Sequence, residues 1–169
     1  VSYNQKKPFE KISIKSNKYI FKCFYYALKF VKRRMILGII NCPVSKESLF
    51  KNNHQGITEF ISKKTKSKGK EVMLIYNKNL AVCPITTHIP INQVNEKINK
   101  NKIVKKVKTI NNFYKKFFNK KPNIAILGLN PHNFIPSKKV DSSKEVILAV
   151  KSLKKFKIKV IGPVSPDSS

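Results

Sequence analysis

Apolar positions recur every three or four residues between Ser16 and Arg34, where Ile20, Phe24, Ala27, Leu28 and Val31 share a face and lysines fill the rest. That spacing predicts an amphipathic helix after a polar, irregular start. The pattern then changes. Met35 to Ile40 is a continuous apolar run, which predicts a buried parallel strand. The run empties into Asn41-Cys42-Pro43-Val44-Ser45-Lys46. Loops at the carboxyl ends of strands are where open α/β sheets bind ligands. Ser45 or Ser48 is placed to cap a short helix ending near Lys51.

Farther on, Thr58 to Lys66 reads as a short helix with Phe60 and Ile61 inside. Val72 to Tyr76 and Leu80 to Ile85 read as strands joined by Asn77-Lys78-Asn79, a tight hairpin in which asparagine tolerates positive φ. Pro90 opens about two helical turns, and Ile103, Val107, Ile110, Tyr114 and Phe117 mark a long amphipathic helix. Ile124 to Leu129 is another apolar strand. Ser142-x-x-Glu145 forms a capping box for a helix from Ser143 to about Lys155, and Ile158 to Ile161 is a last strand before Gly162-Pro163. Strands alternating with helices predict an α/β fold: a mostly parallel sheet flanked by helices, with one antiparallel hairpin.

Two strand ends deliver histidines. His88 follows Thr86-Thr87, and His132 closes Asn130-Pro131-His132 just beyond an apolar run that breaks at Gly128. Two imidazoles so placed can share a divalent metal, although a catalytic centre needs a third ligand and an open position. The plainer account of each is a lone histidine satisfied by a nearby carbonyl. His54 sits in a polar turn and reads as exposed. Thr58 and Glu59 open a helix whose first amides could hold a phosphate, or which is simply a helix start. Lys46 could pair with a phosphate as a point charge.

Charge changes this picture less than its size suggests. The 169 residues carry a formal net charge of +28, which suggests a polyanion partner. Yet Arg33 and Arg34 are the only arginines, and lysine, asparagine and isoleucine are enriched together throughout. Arginine is the residue that reads phosphates and bases bidentately, so the balance points away from nucleic acid. At 41% hydrophobic residues the chain can bury a core. Cys23, Cys42 and Cys83 are far apart and form no CxxC pair, so buried free thiols in a reducing, cytoplasmic setting are expected. No apolar stretch approaches the roughly 18 residues of a membrane span, and no signal peptide is visible. A first residue of Val1 reads as a processing or fragment end.

In order, the motifs resemble the middle of the 4-hydroxythreonine-4-phosphate dehydrogenase family of pyridoxal phosphate biosynthesis. The family's Thr-Gly-Pro-x-x-Lys loop is matched by Asn41-Cys42-Pro43-Val44-Ser45-Lys46, and its Gly-His-Thr-Glu-Phe by Gly56-Ile57-Thr58-Glu59-Phe60. Thr86-Thr87-His88 and Gly128-Leu129-Asn130-Pro131-His132 are intact, and a Gly-Pro with a following aspartate appears as Gly162, Pro163 and Asp167. The resemblance runs from about Ser13 to the end. It departs at Ile57, where the family has histidine, and at Asn133-Phe134-Ile135, where the family has Ala-Gly-Glu.

The resemblance implies an isocitrate/isopropylmalate dehydrogenase-like fold, with residues 1–43 part of one α/β domain and 44–169 part of a second. It implies a homodimer with a shared active site and a divalent metal (Zn, Mg or Co) held by His88 and His132, with a third histidine beyond this chain. Thr58 and Lys46 would bind a phosphorylated small-molecule substrate, and NAD or NADP would accept a hydride. No GxGxxG follows a strand, so the residues themselves indicate no nicotinamide site. A related phospho-sugar-acid dehydrogenase, an inactive dimerising remnant and a basic nucleic-acid-binding protein remain the alternatives. The 169-residue chain alone is expected to be inactive, for want of one metal ligand and part of the cofactor cleft.

Overall fold

The computed structural model describes residues 1–51, 56–67, 69–130 and 143–168. His54, His132, Ser142 and the Asn133-Phe134-Ile135 departure fall outside them. The chain divides into two compact units, Val1–Gly69 and Lys70–Ser169.

The first unit is helical. Helix α1 spans Ile14–Lys32 and opens on a capping box: Ser16 N donates to Ser13 Oγ at 3.1 Å and Ser13 N to Ser16 Oγ at 2.9 Å. Helix α2 spans Lys46–Phe50, with Ser45 accepting from Ser48 N, so Ser45 is the cap. Helix α3 spans Ile57–Lys64. Asn17 on α1 donates to the Ser48 carbonyl at 2.9 Å and to Ser48 Oγ at 3.0 Å, tying α1 to α2. Phe21, Phe24, Phe50 and Phe60 form an aromatic knot with ring centroids 5.5–6.4 Å apart. Each such pair adds roughly 0.5–1.5 kcal/mol beyond its area burial.

The expected strand Met35–Ile40 does not form. Arg34 takes a left-handed backbone with φ 58°, while Arg34 N donates to the Val31 carbonyl and Met35 N to the Phe30 carbonyl. This is the Schellman arrangement that satisfies a helix's last carbonyls. It consumes the start of the run in closing α1. No strand among the described residues pairs with the remainder, and Leu37 and Ile40 are fully exposed, at 93% and 102%. A parallel strand is stable only when neighbours take up its backbone groups, and here none does.

The second unit holds the sheet elements. Strands β1 (Ile75–Tyr76) and β2 (Ala81–Val82) pair antiparallel, with Ile75 opposite Val82 and Tyr76 opposite Ala81. Asn77 N donates to the Leu80 carbonyl at 2.9 Å, and the Asn77 side chain accepts from Asn79 N at 3.1 Å. The asparagine therefore works through an Asx turn, because none of the three turn residues has positive φ. A 3₁₀ turn, Ile91–Gln93, leads into α4 (Val94–Lys97) and then α5 (Lys100–Phe118), capped by Asn99. Strand β3 (Ile124–Leu127), helix α6 (Ser143–Lys155) and β4 (Val160–Val164) follow.

Ile103 and Val107 of α5, Val146, Ala149, Val150 and Leu153 of α6, Ile126 of β3 and Val160 of β4 close one core, with Ile103 and Leu153 fully buried. Ile103 and Val107, four residues apart, lie on the apolar face that the sequence pattern marks for α5. The Glu145 carboxylate on α6 accepts from Lys100 N at 2.6 Å, placing a negative charge at the start of α5.

Strands β3 and β4 pair parallel, Ile124 with Val160 and Ala125 with Ile161, and then slip so that Leu127 faces Val164. Gly162 sits in the slip with φ 141°, and a Cβ there would lie 2.5 Å from the Ile126 carbonyl oxygen. Only glycine allows that approach. Beyond it Gly128 N donates to the Val164 carbonyl at 2.8 Å, so pairing continues into the Gly128–Asn130 loop. The fold class is as the pattern implied: α/β, with a parallel pair, an antiparallel hairpin and flanking helices.

Candidate functional site

The second unit presents the Thr86-Thr87-His88 loop. Strand β2 stops at Val82 because Pro84 has no N–H to continue the ladder. Two ties then hold the chain. Lys106 Nζ on α5 donates to the Pro84 carbonyl at 3.1 Å, and the Ile85 side chain packs against the core. Thr86 and Thr87 are half-buried, while His88 is exposed with a left-handed backbone, φ 55°. Histidine is among the few residues enriched in that region. The loop leaves the His88 imidazole open to solvent.

Cys83, at the root of the loop, is half-buried. Burial pushes its thiol up, and the nearby Lys106 ammonium partly offsets this. Lys102, one turn before Lys106, is pushed down by burial and then by the neighbouring charges of Lys106 and Lys97. The three thiols are free, as expected, but not buried: Cys42 is exposed, and Cys23 and Cys83 are only half-covered.

The second histidine loop is approached but not reached. β3 and the Gly128 pairing deliver Leu129 onto the core and lead to Asn130, two residues short of His132. Among the described residues no three histidine, cysteine, aspartate or glutamate side chains gather as a metal-holding group. His88 alone therefore carries the test of fit, and an exposed imidazole on an anchored loop is a suitable donor.

The first unit carries the two residues assigned to phosphate. Lys46 is the first residue of α2, exposed, beside the exposed Glu47. Thr58 is exposed on the first turn of α3, whose cap Gly56 supplies no side chain. Glu59 folds back there: its Oε2 lies 2.6 Å from where a Gly56 Cβ would sit. Sequence reasoning missed the Lys106 tie and the Gly162 contact. The first has no signal in a lysine-rich chain, whereas a glycine inside an apolar strand is a readable sign of close backbone approach.

An α/β protein with a histidine-bearing loop beyond one strand and an Asn130-bearing loop beyond another is the class these parts define. The chain belongs to the family described as pyridoxal phosphate biosynthetic protein PdxA, whose model matches residues 1–169. It is 37% identical over 147 residues to the 4-hydroxythreonine-4-phosphate dehydrogenase of Sulfurihydrogenibium sp. (strain YO3AOP1), covering 85% of this chain and 45% of that protein. It is 38% identical over 138 residues to the enzyme of the same name from Aquifex aeolicus (strain VF5), covering 80% of this chain and 43% of that protein. The crystal structure of 4-hydroxythreonine-4-phosphate dehydrogenase from Klebsiella pneumoniae superposes with a TM-score of 0.81 at 26% identity, over 94% of this chain and 49% of that one. The chain thus spans about half the length of the relatives it matches. Among the described residues no helix is long and apolar enough to cross a membrane.

Proposed function

We propose that this chain is part of a metal- and NAD(P)-dependent dehydrogenase that oxidises 4-phosphooxy-L-threonine, with decarboxylation to 3-amino-2-oxopropyl phosphate, in pyridoxal phosphate biosynthesis. The observation that carries the reading is the exposed His88 on its anchored loop, in a chain that the family matches from end to end. His88 and His132 are the two metal ligands this chain contributes. Lys46 and Thr58 receive the substrate phosphate, the lysine as a point charge and the threonine by a hydroxyl donor. A bound divalent metal (Zn, Mg or Co) supplies Lewis-acid polarisation of the substrate hydroxyl, and bound NAD or NADP supplies the hydride acceptor.

The chain's own part is binding and orientation. His88 presents a nitrogen lone pair from a loop fixed at Pro84 and Ile85. Ile57 leaves Thr58 as the only member of the family's substrate-binding His-Thr pair. A homodimer sharing its sites, in the cytoplasm, is part of the same reading, as is assignment of residues 1–43 and 44–169 to two α/β domains of the whole protein.

The test is a chimera in which this chain replaces the matching segment of the Sulfurihydrogenibium enzyme. The expected result is NAD(P)⁺ reduction on 4-phosphooxy-L-threonine, falling about a hundredfold or more in His88→Ala, the scale of losing a Lewis acid's support. A folded, dimeric chimera with no turnover would replace this reading with the inactive dimerising remnant.

A further inference from the structure

We infer that Lys106 is a positioning residue for His88, an inference that rests on the metal-binding reading above. The chain between Val82 and His88 has left the β1–β2 ladder, and Pro84 cannot donate a backbone hydrogen bond. The loop therefore depends on side-chain ties. Ile85 fixes it to the core by packing, and the Lys106 ammonium fixes it to α5 through the Pro84 carbonyl at 3.1 Å. The Cys83 thiol reaches the same carbonyl at 3.7 Å, a weaker contact.

Lys106 makes this contact where another cation stands close. Lys102 Nζ, one turn away, lies 3.4 Å from the Lys97 carbonyl, and its depressed affinity for a proton reflects burial first and then the charges of Lys106 and Lys97. Crowding two ammonium groups is unfavourable in itself, and a carbonyl dipole aimed at one of them offsets it. The tie lies four residues before a histidine in the left-handed region, φ 55°. A small rotation of the loop at Pro84 would swing that imidazole away from any fixed point, while metal ligands must sit within about 0.2 Å of their place. Lys106 thus acts on the ligand through the backbone and does not touch the metal.

The probe is cobalt(II) alone, titrated into the chimera described above and followed by its visible absorption, together with amide exchange at Ile85 to Ile89 in the metal-free chimera. Lys106→Met and the milder Lys106→Gln are expected to weaken cobalt binding about tenfold, the scale seen when a ligand's supporting group is lost. They should also speed exchange in the loop while leaving the thermal midpoint near that of the parent. Lys106→Arg, which can donate to the same carbonyl, should restore both readouts. If His88→Ala loses cobalt while both Lys106 variants keep it, the positioning role is overturned and the metal reading stands. If His88→Ala binds cobalt as tightly as the parent chimera, the metal reading falls and the inference with it.

Discussion

Two regions of this chain solve the problem of stability differently. In Lys70–Ser169, ten apolar residues from α5, α6, β3, β4 and the segments leading into them close around one another. In Val1–Gly69 the described residues bury only Phe24 and Leu49 among the apolar side chains, and an aromatic knot joins three helices. The same unit leaves Leu37 and Ile40 open to water. The contrast separates pattern from partnership. Helices satisfy their own backbone, so amphipathic spacing suffices to form them, whereas a strand needs a neighbour that its own residues cannot supply.

The sharpest way to break this comparison is at Gly162, beside the larger core. Gly162→Ala places a Cβ 2.5 Å from the Ile126 carbonyl oxygen in a backbone at φ 141°. Overpacking and backbone strain together are expected to cost about 3–5 kcal/mol. Urea unfolding of Lys70–Ser169, followed by exchange of its core amides, measures it. A cost below 1 kcal/mol, an order-of-magnitude floor for a core clash, would mean that the β3–β4 slip relaxes easily and is no rigid base for the Asn130 loop.

Next in size is a matched pair of truncations. Leu153→Ala removes a fully buried side chain and is expected to cost about 2–5 kcal/mol. Leu37→Ser removes a fully exposed one and should stay within about 0.5 kcal/mol of the parent. The same denaturation curves read both. A large cost for Leu37→Ser would show that the apolar run is covered in solution, and the contrast between the two units would collapse.

What was legible follows the same physical line. The helices α1 and α5 were readable because their apolar faces repeat at three and four residues over several turns, and α6 through the Ser142-x-x-Glu145 pattern at its start. The Asn77 turn was found for a partly wrong reason, since Asx bonding produced it and not positive φ. Met35–Ile40 was misread because continuous hydrophobicity says that a segment prefers burial, not that a neighbour exists to bury it. At the candidate site, Thr86-Thr87-His88 and the Asn130 loop were visible as motifs at the ends of apolar runs. The tie from Lys106 was not, because one lysine among so many carries no signal until the fold brings its ammonium to Pro84. Glu59 turning back on Gly56 was likewise invisible, since the same residues also make an ordinary helix start.

The smallest effect distinguishes the two units by their thiols. Cys42 lies in the open segment that follows the unpaired run, and Cys83 lies half-buried at the root of the His88 loop. Only a thiolate attacks iodoacetamide, so labelling rate depends on both access and ionisation. Burial shields Cys83 and also raises its thiol, with Lys106 opposing the rise only in part. Both effects slow Cys83 relative to Cys42. The ionisation part has a definite sign: a raised acid holds its proton longer, so the lag should shrink as pH rises and more of Cys83 becomes thiolate. Removing the Lys106 charge in Lys106→Met takes away the opposing influence, so at fixed pH Cys83 ionises less and its lag lengthens. If loosening of the loop dominates instead, the same variant exposes Cys83 and its lag shortens. Mass-spectrometric rates at each cysteine, compared across pH in the parent and in Lys106→Met, therefore separate the electrostatic action of Lys106 from its mechanical one.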